Sequence, residues 1–501
     1  MSIAASIKRC RREILGFSLF LAWEYCALFG CTLVSASPLH NSIEYAWMAA
    51  GIAEAFAAGA LMLMAKTRYR PRFGPLCKIT AAALIASTAC LRIAFSGVAW
   101  ETFWLFVCIG GAFGGIGSAC GLLIWGTTLE HRDEGDIELI AAVAFSLSFA
   151  LYCAIIFLKN CTLNCVLLWA FALGSSAAAL AISGVRKPAT AIMLRKRPCR
   201  SLSSEQSSPD QEQPPAPSIK SLASAIALVA VLWFQVAYFR VLETPDYPSN
   251  RFLHYLIPFS ISCLISLALI AIALRRSRYL NMSMMFRWQL PFLMISCAIL
   301  YFAPFDQTVR SAAYTFDFLG MFGLQFGFWI GAAKQAKKMA KGAALLFACL
   351  AIGKGLGIAA GCAVSLWLSV NVPLDSTVSC SMLLCALTLM ATMAIGFKPK
   401  WLMGKAMSRD IEEESGQADE PQRSLDSLFG VQADALRSEY GLTKRETEIA
   451  AMLLAGRSRP YIRDELVISL NTVHSHAKNI FAKCGVHSQQ ELMDLARSRL
   501  A

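Results

Sequence analysis

The stretch ETFWLFVCIGGAFGGIGSACGLLIWG, residues 101–126, carries one charged side chain, Glu101, at its start. A helix rises 1.5 Å per residue, so about 20 apolar residues cross the roughly 30 Å hydrocarbon core of a bilayer. The stretch therefore predicts a membrane-spanning helix. Its glycine-rich part, residues 110–121, lies inside the apolar run and lacks a GK[ST] sequence, as does GKGLGIAAG at 353–361. We expect these glycines to make close helix contacts rather than to bind phosphate.

Similar apolar runs recur along most of the chain. The chain has 501 residues, of which 56% are hydrophobic and only 16% are charged, which is typical of a membrane protein. The first run is too long and too polar in places for a signal peptide, so we expect it to remain as a span. We predict about twelve spans, near residues 14–34, 45–65, 76–97, 101–126, 137–158, 163–183, 219–240, 252–274, 288–304, 311–333, 343–370 and 378–397.

Lysine and arginine concentrate in alternate connections between these spans. Basic residues are retained on the cytoplasmic side of a membrane, so their distribution predicts cytoplasmic N- and C-termini. The net charge of +13 is explained by the same segments facing anionic lipid. The basic segments are residues 8–12, 66–78, 186–197, 275–287, 334–341 and 398–400.

A segment rich in Ser, Gln, Glu and Pro, residues 195–220, separates the sixth span from the seventh and predicts a flexible cytoplasmic loop. This layout of six and six spans resembles the major facilitator superfamily of secondary transporters, whose halves are paired repeats. The resemblance is architectural and covers residues 14–397. The sequence departs from that family at AKTRYRPRFG, residues 65–74, which has the basic residues but lacks the usual Gly-to-Asp spacing.

Five charged residues lie inside predicted spans, where each costs roughly 2.5 to 3.5 kcal/mol on insertion scales. Such side chains face the bundle interior or a water-filled cavity. One interpretation is an effector pocket, in which the carboxylates meet a cationic part of a ligand and the basic residues an anionic part. The alternative is that they pair with one another for structure. The five residues are Glu24, Glu54, Arg92, Asp317 and Lys354.

The 18 cysteines fall mostly inside spans and show no CxxC or Cys/His metal spacing. We predict no cofactor and no bound metal. His474 and His476, two apart on a predicted helix, diverge by about 200° and do not form a metal pair. Catalytic motifs such as HExxH, a Walker loop or a nucleophile elbow are also lacking from the sequence, so we expect no enzymatic activity.

After residue 398 the composition becomes acidic and polar, as in DIEEESGQADEPQ at 410–422, which predicts a linker. Short amphipathic helices follow. Thr443 with Glu446 and Ser488 with Glu491 have the spacing of capping boxes, and Gly456 is placed to end the first helix. Between these boxes we predict a second helix capped by Ser458 and containing Tyr461, Ile462 and Leu466, and a third helix that begins at Ser469 and ends at Gly485.

The third helix lies in the polar stretch SLNTVHSHAKNI, residues 469–480. Val473, Ala477 and Ile480 recur at helical spacing and predict a buried face. Two helices joined by a tight turn, the second with a polar outer face, form a helix-turn-helix that fits the DNA major groove. The polar face is expected to include Thr472, His474, Ser475, Lys478 and Asn479.

This region closely resembles the LuxR-type, or LuxR/FixJ-type, DNA-binding domain. The motifs are LTKRETEIAAMLLAG at 442–456 and YIRDELVISLNTVHSHAKNIFAKCGV at 461–486. The resemblance implies base contacts by His474, Ser475 and Lys478, phosphate contacts by Thr472 and Lys483, and a homodimer formed through the last helix.

Several positions depart from the family pattern. His474 stands where the family usually has Lys, so we expect weaker binding or a different preferred base. Cys484 replaces a usual Leu, and Pro460 and Arg463 are atypical in the scaffold helix. The resemblance implies that His476 orients against the backbone rather than contacting DNA.

The sequence thus predicts an all-α protein, with a transporter-like bundle of about twelve transmembrane helices and a small four-helix DNA-binding domain. We expect a one-component transcription regulator in the inner or plasma membrane of a prokaryote, whose partners are double-stranded DNA, a small-molecule effector and membrane lipids. The alternatives are a secondary transporter with a regulatory DNA-binding tail and a passive membrane anchor. The predicted parts are 1–13, 14–185, 186–218, 219–397, 398–440 and 441–501.

Overall fold

The computed structural model divides the chain into two compact units, Met1–Ala406 and Met407–Ala501. The description that follows covers residues 3–29, 32–33, 42–66, 72–158, 160–185, 219–243, 248–275, 283–302, 306–338, 343–373, 377, 381, 384, 429, 432–456, 462 and 470–498. The predicted loop at 186–218 and most of the linker at 398–440 lie outside these residues. So do most of the twelfth predicted span and the predicted helix after Ser458.

The first unit is a bundle of long helices. Nine of the helices in the described ranges are long and apolar enough to cross a membrane. The helices are α1 (Ile3–Glu24), α2 (Ser42–Lys66), α3 (Phe73–Ala94), α4 (Trp100–Glu130), α5 (Glu134–Leu158), α6 (Cys161–Val185), α7 (Ile219–Glu243), α8 (Pro248–Arg275), α9 (Ser283–Phe302), α10 (Gln307–Lys338) and α11 (Ala343–Asn371). They cover the first eleven predicted spans.

Contacts across the two halves of the bundle, α1–α6 and α7–α11, are made chiefly by α2 against α11 and by α5 against α8. Within the halves, α4 packs on α2 and α3, α7 packs on α11, and α9 packs on α10. The apolar core runs through both halves and includes large aromatic side chains that are fully buried, such as Phe17, Trp23, Trp125 and Trp233.

Glycines bring the helix backbones into contact, which confirms the packing role predicted for them. A Cβ on Gly115 of α4 would lie 2.0 Å from the carbonyl oxygen of Ala50 in α2, and one on Gly355 of α11 would lie 2.4 Å from the carbonyl oxygen of Gly51. Only glycine permits this approach, because its lack of a side chain lets two helices meet at their main chains. Helix α2 is therefore wedged between α4 and α11.

Helix α1 changes its winding near its end. Residues Tyr25–Phe29 form a π-helical turn directly after Glu24. A π-turn widens the helix and leaves main-chain groups outside the ordinary α-helical pattern, and such turns are frequent at functional sites. Here the Tyr25 hydroxyl donates to Gln325 of α10, and the carbonyl of Leu28 accepts from Arg240 of α7 at 2.9 Å. The end of α1 is thus bonded to the second half of the bundle.

The second unit has its own apolar core. Its helices are α12 (432–440), α13 (Lys444–Leu454), α14 (Leu470–Cys484) and α15 (Gln489–Ser498). Ile449, Leu453, Val473, Ile480 and Leu492 are fully buried together. Ile462, which belongs to the predicted second helix, is also fully buried in this core.

The helix ends of this unit follow the capping signals in the sequence. The Thr443 hydroxyl accepts from the Glu446 amide and the Glu446 carboxylate accepts from the Thr443 amide, so the predicted capping box is confirmed. Gly456 and Gly485 have φ angles of +74° and +69° at the ends of α13 and α14. Only glycine adopts this left-handed conformation without strain, so it ends both helices as predicted.

Candidate DNA interface and buried charge cluster

Helix α14 separates an apolar face from a polar one. Val473, Ala477 and Ile480 have no exposed surface, and Cys484 is also buried. The polar side chains predicted to contact DNA lie on the remaining surface and are exposed, namely Thr472, His474, Ser475, Lys478 and Lys483. The same three-to-four-residue spacing that buries one face places the hydroxyl, imidazole and ammonium groups together on the other. Such a row offers hydrogen-bond donors and acceptors for base edges and charges for phosphates.

Lys483 lies at the end of α14 and connects it to the start of α13. Its Nζ donates to Glu446 at 2.7 Å and to the carbonyl of Gly441 at 3.2 Å. Burial of the Glu446 carboxyl opposes its ionisation, but hydrogen bonds from Lys483 and Thr443 outweigh that effect and lower the pKa of Glu446. The predicted phosphate contact by Lys483 stays a prediction, and the structure adds an internal role that the sequence reasoning missed.

The two histidines of α14 lie in different surroundings. His474 is exposed, whereas His476 is partly buried and its Nδ1 is a buried atom without a hydrogen-bond partner. No backbone bond from that atom is seen, so the expectation that His476 orients against the main chain stays untested at Nδ1. The exposure of His474 fits its predicted place among the base-reading residues.

Helix α15 begins at the predicted second capping box, of which one of the two bonds has the predicted partners. The Glu491 amide donates to the Ser488 hydroxyl at 3.2 Å, as the sequence predicts. The Glu491 carboxylate accepts from the His487 amide at 2.8 Å, one residue before the cap. The bonds from His487 and Ser488 lower the pKa of Glu491. Leu492 and Ala496 point into the core of the domain, while Met493 and Leu495 are partly exposed.

Three of the five charged residues predicted inside the spans meet at one point in the bundle. Lys354 of α11 places its Nζ 3.3 Å from a carboxylate oxygen of Glu24 in α1 and 3.2 Å from one of Glu54 in α2. All three residues are at most 6% exposed. We call Glu24, Glu54 and Lys354 the central triad.

Two uncharged residues complete the surroundings of the central triad. The hydroxyl of Ser118 in α4 donates to Glu24 at 2.7 Å, and the indole of Trp233 in α7 lies with its ring centroid 5.5 Å from Lys354 Nζ. A cation near an indole face is stabilised by the ring quadrupole. The triad is therefore held by five helices from both halves of the bundle.

The other two predicted pocket residues are not placed in the central triad. Asp317 of α10 is buried, at 4% exposure. Arg92 lies in the last turn of α3 and is partly exposed. Their place in an effector pocket stays a prediction.

A second buried ion pair, which sequence reasoning missed, joins the halves where α2 begins and α7 ends. Arg240 of α7 lies 3.6 Å from Glu44 of α2, and its guanidinium lies 4.4 Å from the ring centroid of Trp47. Arg240 is 2% exposed and Glu44 has no exposed surface. Glu44 precedes the predicted second span and Arg240 closes the seventh, so both residues resembled interfacial charges in the sequence.

A third contact lies at the other end of the bundle. Lys334 of α10 bonds Glu138 of α5, which is fully buried, and Lys337 lies 3.5 Å from Asp133. The hydropathy pattern predicted that both lysines lie in the connection between the tenth and eleventh spans. That prediction was wrong, because α10 continues to Lys338 and carries Lys334 inside the bundle.

In each of these inter-half contacts, the acidic residues come from the same half of the bundle and the basic residue from the other. Glu44, Glu24 with Glu54, and Glu138 belong to the first half of the bundle. Their cations, Arg240, Lys354 and Lys334, all belong to the second half. The halves are therefore electrically complementary at three levels.

Comparison with known families decides the assignment of the second unit. Residues 441–496 match the family of bacterial regulatory proteins of the luxR type. These residues form a LuxR-type DNA-binding domain. The predicted resemblance is confirmed, and the LuxR-type domain begins at the glycine that follows α12.

Curated relatives match through this domain. The Fimbriae Z protein of Escherichia coli strain K12 is 43% identical over 56 residues, which are 11% of this chain and 27% of the relative. The Monoamine regulon transcriptional regulator of Klebsiella aerogenes is 35% identical over 94 residues, or 18% of this chain and 41% of the relative. The chain thus spans less than half the length of either relative, and what it shares with them is the LuxR-type domain.

The membrane unit is similar in fold to a solved transporter homologue. A bacterial homologue of the iron transporter ferroportin, solved in an outward-facing state, aligns with 80% of this chain and 99% of its own. The TM-score is 0.51 and the sequence identity 12%, so the likeness concerns the fold alone. The protein is thus a multi-pass membrane protein in which a transporter-like bundle is fused to a LuxR-type regulatory domain.

Proposed function

We propose that the protein is a membrane-embedded one-component transcription regulator, in which the transporter-like bundle responds to an effector and the LuxR-type domain binds DNA. The observation that carries this proposal is the exposed polar face of α14 in a LuxR-type domain on the same chain as the bundle. An effector changes DNA affinity only if it binds two states of the bundle with different affinity. The central triad, which joins the two halves, is the place in the described bundle where such a difference arises. No catalytic step is part of this function.

The proposed orientation puts both termini in the cytoplasm of a prokaryote, in the inner or plasma membrane. This orientation is supported by the basic segments that alternate along the chain, since such residues are retained on the cytoplasmic side. DNA is present only on that side, so the proposed orientation and the proposed function agree.

We propose that the regulator binds DNA as a homodimer through α15. Met493 and Leu495 leave apolar surface on this helix partly exposed, while Leu492 and Ala496 anchor it to the domain core. A two-fold pair of domains would place two copies of α14 in successive major grooves, one helical turn apart.

Footprinting tests the proposal. Full-length protein in nanodiscs and the separate unit 407–501 are applied to the DNA flanking the gene of this protein, and both are expected to protect a pair of half-sites. Lys478→Ala should weaken binding and flatten its salt dependence, because it removes one cation. His474→Ala should relax the preference at one base pair. Lys444→Ala, which removes an exposed lysine from α13, is the matched control and should leave the footprint unchanged.

Protection by neither protein would refute DNA-binding regulation and favour a second function, which the buried ion pairs between the halves support. That function is secondary transport with a regulatory tail. Uptake of a labelled substrate into vesicles, lost in Lys354→Met, would establish it. If DNA protection is the same for every variant with a substitution in the bundle, the bundle acts only as a membrane anchor.

A further inference from the structure

The central triad is unbalanced in charge. Two carboxylates, Glu24 and Glu54, face one ammonium, Lys354, and all three are buried between the halves. The charged groups that act on Glu54 are Lys354 from α11 and Glu24 from α1, while α4 and α7 contribute the uncharged Ser118 and Trp233. A buried charge without a partner is strongly disfavoured, so such a cluster tends to take up one more positive charge.

Helix α2 is closely packed at the position of Glu54. Helix α2 carries Glu54 between two main-chain contacts, because a Cβ on Gly115 would lie 2.8 Å from the Glu54 amide nitrogen and one on Gly355 would lie 2.8 Å from that of Ala55. Lys354 already lies between the two carboxylates at 3.2 and 3.3 Å. A proton needs no volume of its own and would fit this arrangement without moving Lys354.

The two carboxylates differ in their donors. Glu24 accepts two hydrogen bonds, from the Ser118 hydroxyl at 2.7 Å and from Lys354 at 3.3 Å. The donor that lies against Glu54 is Lys354, whose Nζ is 3.2 Å from Oε1 of that carboxylate. A proton on Glu54 leaves Lys354 and Glu24 as a balanced pair.

We propose that Glu54 is a proton-binding site and that the proton is an effector of this regulator. Proton binding converts the carboxylate of Glu54 to the acid, without change at any other covalent bond, and removes the attraction between α2 and Lys354. The ion pair between Glu24 of α1 and Lys354 of α11 remains. Because Glu54 and Lys354 belong to opposite halves, protonation shifts the balance between two arrangements of the bundle. The part of this inference that concerns DNA rests on the proposed function, whereas the proton site does not.

Infrared difference spectroscopy of the full-length protein in nanodiscs tests the proton site. The protein is expected to show a carboxylic-acid C=O band from a buried side chain that disappears as the pH is raised. Both Glu54→Gln and Glu24→Gln should remove this band, since either change leaves one carboxylate for one ammonium. Glu138→Gln, at a buried pair that is already balanced, is the matched control and should retain it. If one of the two triad variants does not fold, the other carries the test.

Three results would overturn the proton site. The first is the lack of a titrating band in the unaltered protein, and the second is its persistence in Glu54→Gln or Glu24→Gln. The third is a band that changes when sodium replaces choline as the buffer cation. That result would identify a metal cation as the ligand instead of a proton.

The regulatory part is measured as the pH dependence of the affinity for the protected DNA. One linked proton changes the affinity by at most about tenfold per pH unit. The unaltered protein should show a component of this kind that Glu54→Gln lacks, while the response that remains in Glu54→Gln belongs to the LuxR-type domain. Identical pH profiles together with a titrating infrared band would refute the link to DNA and leave the proton site standing. A lack of DNA binding at every pH would instead refute the proposed function.

Discussion

Removing Lys354 should destabilise the bundle far more than removing a lysine at its surface. Lys354→Met leaves Glu24 and Glu54, each 3% exposed, without the cation that lies 3.2 to 3.3 Å from them. Removing one partner of a buried ion pair costs about 3 to 5 kcal/mol, because the remaining charge stays buried without compensation. Two carboxylates remain after this change, so we expect the upper part of that range at neutral pH. The cost should shrink as the pH falls and the carboxylates take up protons.

The triple change Lys354→Met, Glu24→Gln and Glu54→Gln should recover most of this loss. It replaces the charges with neutral groups of similar size, so no buried charge is left without a partner. Lys337→Met is the control, since Lys337 is 34% exposed, its partner Asp133 is 86% exposed, and such pairs contribute about 1 kcal/mol or less.

Unfolding in mixed micelles with increasing sodium dodecyl sulfate measures these differences. Tryptophan fluorescence reports the transition, since the chain has 11 tryptophans. A triple variant that is as unstable as Lys354→Met would refute the reasoning, because the loss would then come from packing rather than from uncompensated charge. So would a Lys354→Met variant that unfolds together with Lys337→Met.

Two further predictions concern packing and acid stability. Gly115→Ala places a Cβ 2.0 Å from the carbonyl oxygen of Ala50 and should lower the free energy of unfolding by about 1 to 3 kcal/mol. Gly59→Ala is the control and should not lower it, because a Cβ there meets nothing within 4 Å. Equal effects of the two changes in the same micelle assay would contradict this prediction. The lowered pKa of Glu446 means that its contribution is present above the ordinary carboxyl range and is lost as the pH falls through the lowered value. Glu446→Gln should destabilise unit 407–501 by about 1 kcal/mol at neutral pH, a small value because Lys483 is partly exposed. Thermal unfolding should show that this difference disappears in acid, and a difference that persists there would argue against the ionised contact.

The positions of the helices follow from the sequence because each one depends on local information. Hydropathy sets the long helices, and the glycines at 110–121 and 353–361 mark where backbones meet. In the DNA-binding domain, the pairs Thr443 with Glu446 and Ser488 with Glu491 place the helix starts, since capping is a contact between residues three apart. Periodicity likewise separates the buried face of α14 from its polar face.

The ion pairs could be predicted only in part from the sequence. Insertion costs identify Glu24, Glu54 and Lys354 as buried charges, but which of them meet depends on how α1, α2 and α11 pack. Glu44 and Arg240 were missed because they lie at the ends of apolar runs, where charges are ordinary at a membrane interface. The π-turn after Glu24 has no sequence signal, since it follows from how Tyr25 and Leu28 are bonded in the folded bundle.

The polarity of the inter-half pairs limits how the bundle can assemble. The first half buries the carboxylates of Glu24, Glu54 and Glu138, while Lys354 and Lys334 come from the second half. A first half that met another first half would bring buried carboxylates together and leave them without cations, which costs several kcal/mol for each ion. Opposite halves place a cation beside each of these carboxylates, although Glu24 and Glu54 share Lys354. The same arrangement that selects the correct partner also makes the interface sensitive to any event that changes the charge of one carboxylate, because neutralising Glu54 removes attraction between the halves without disturbing the packing of the glycines beside it.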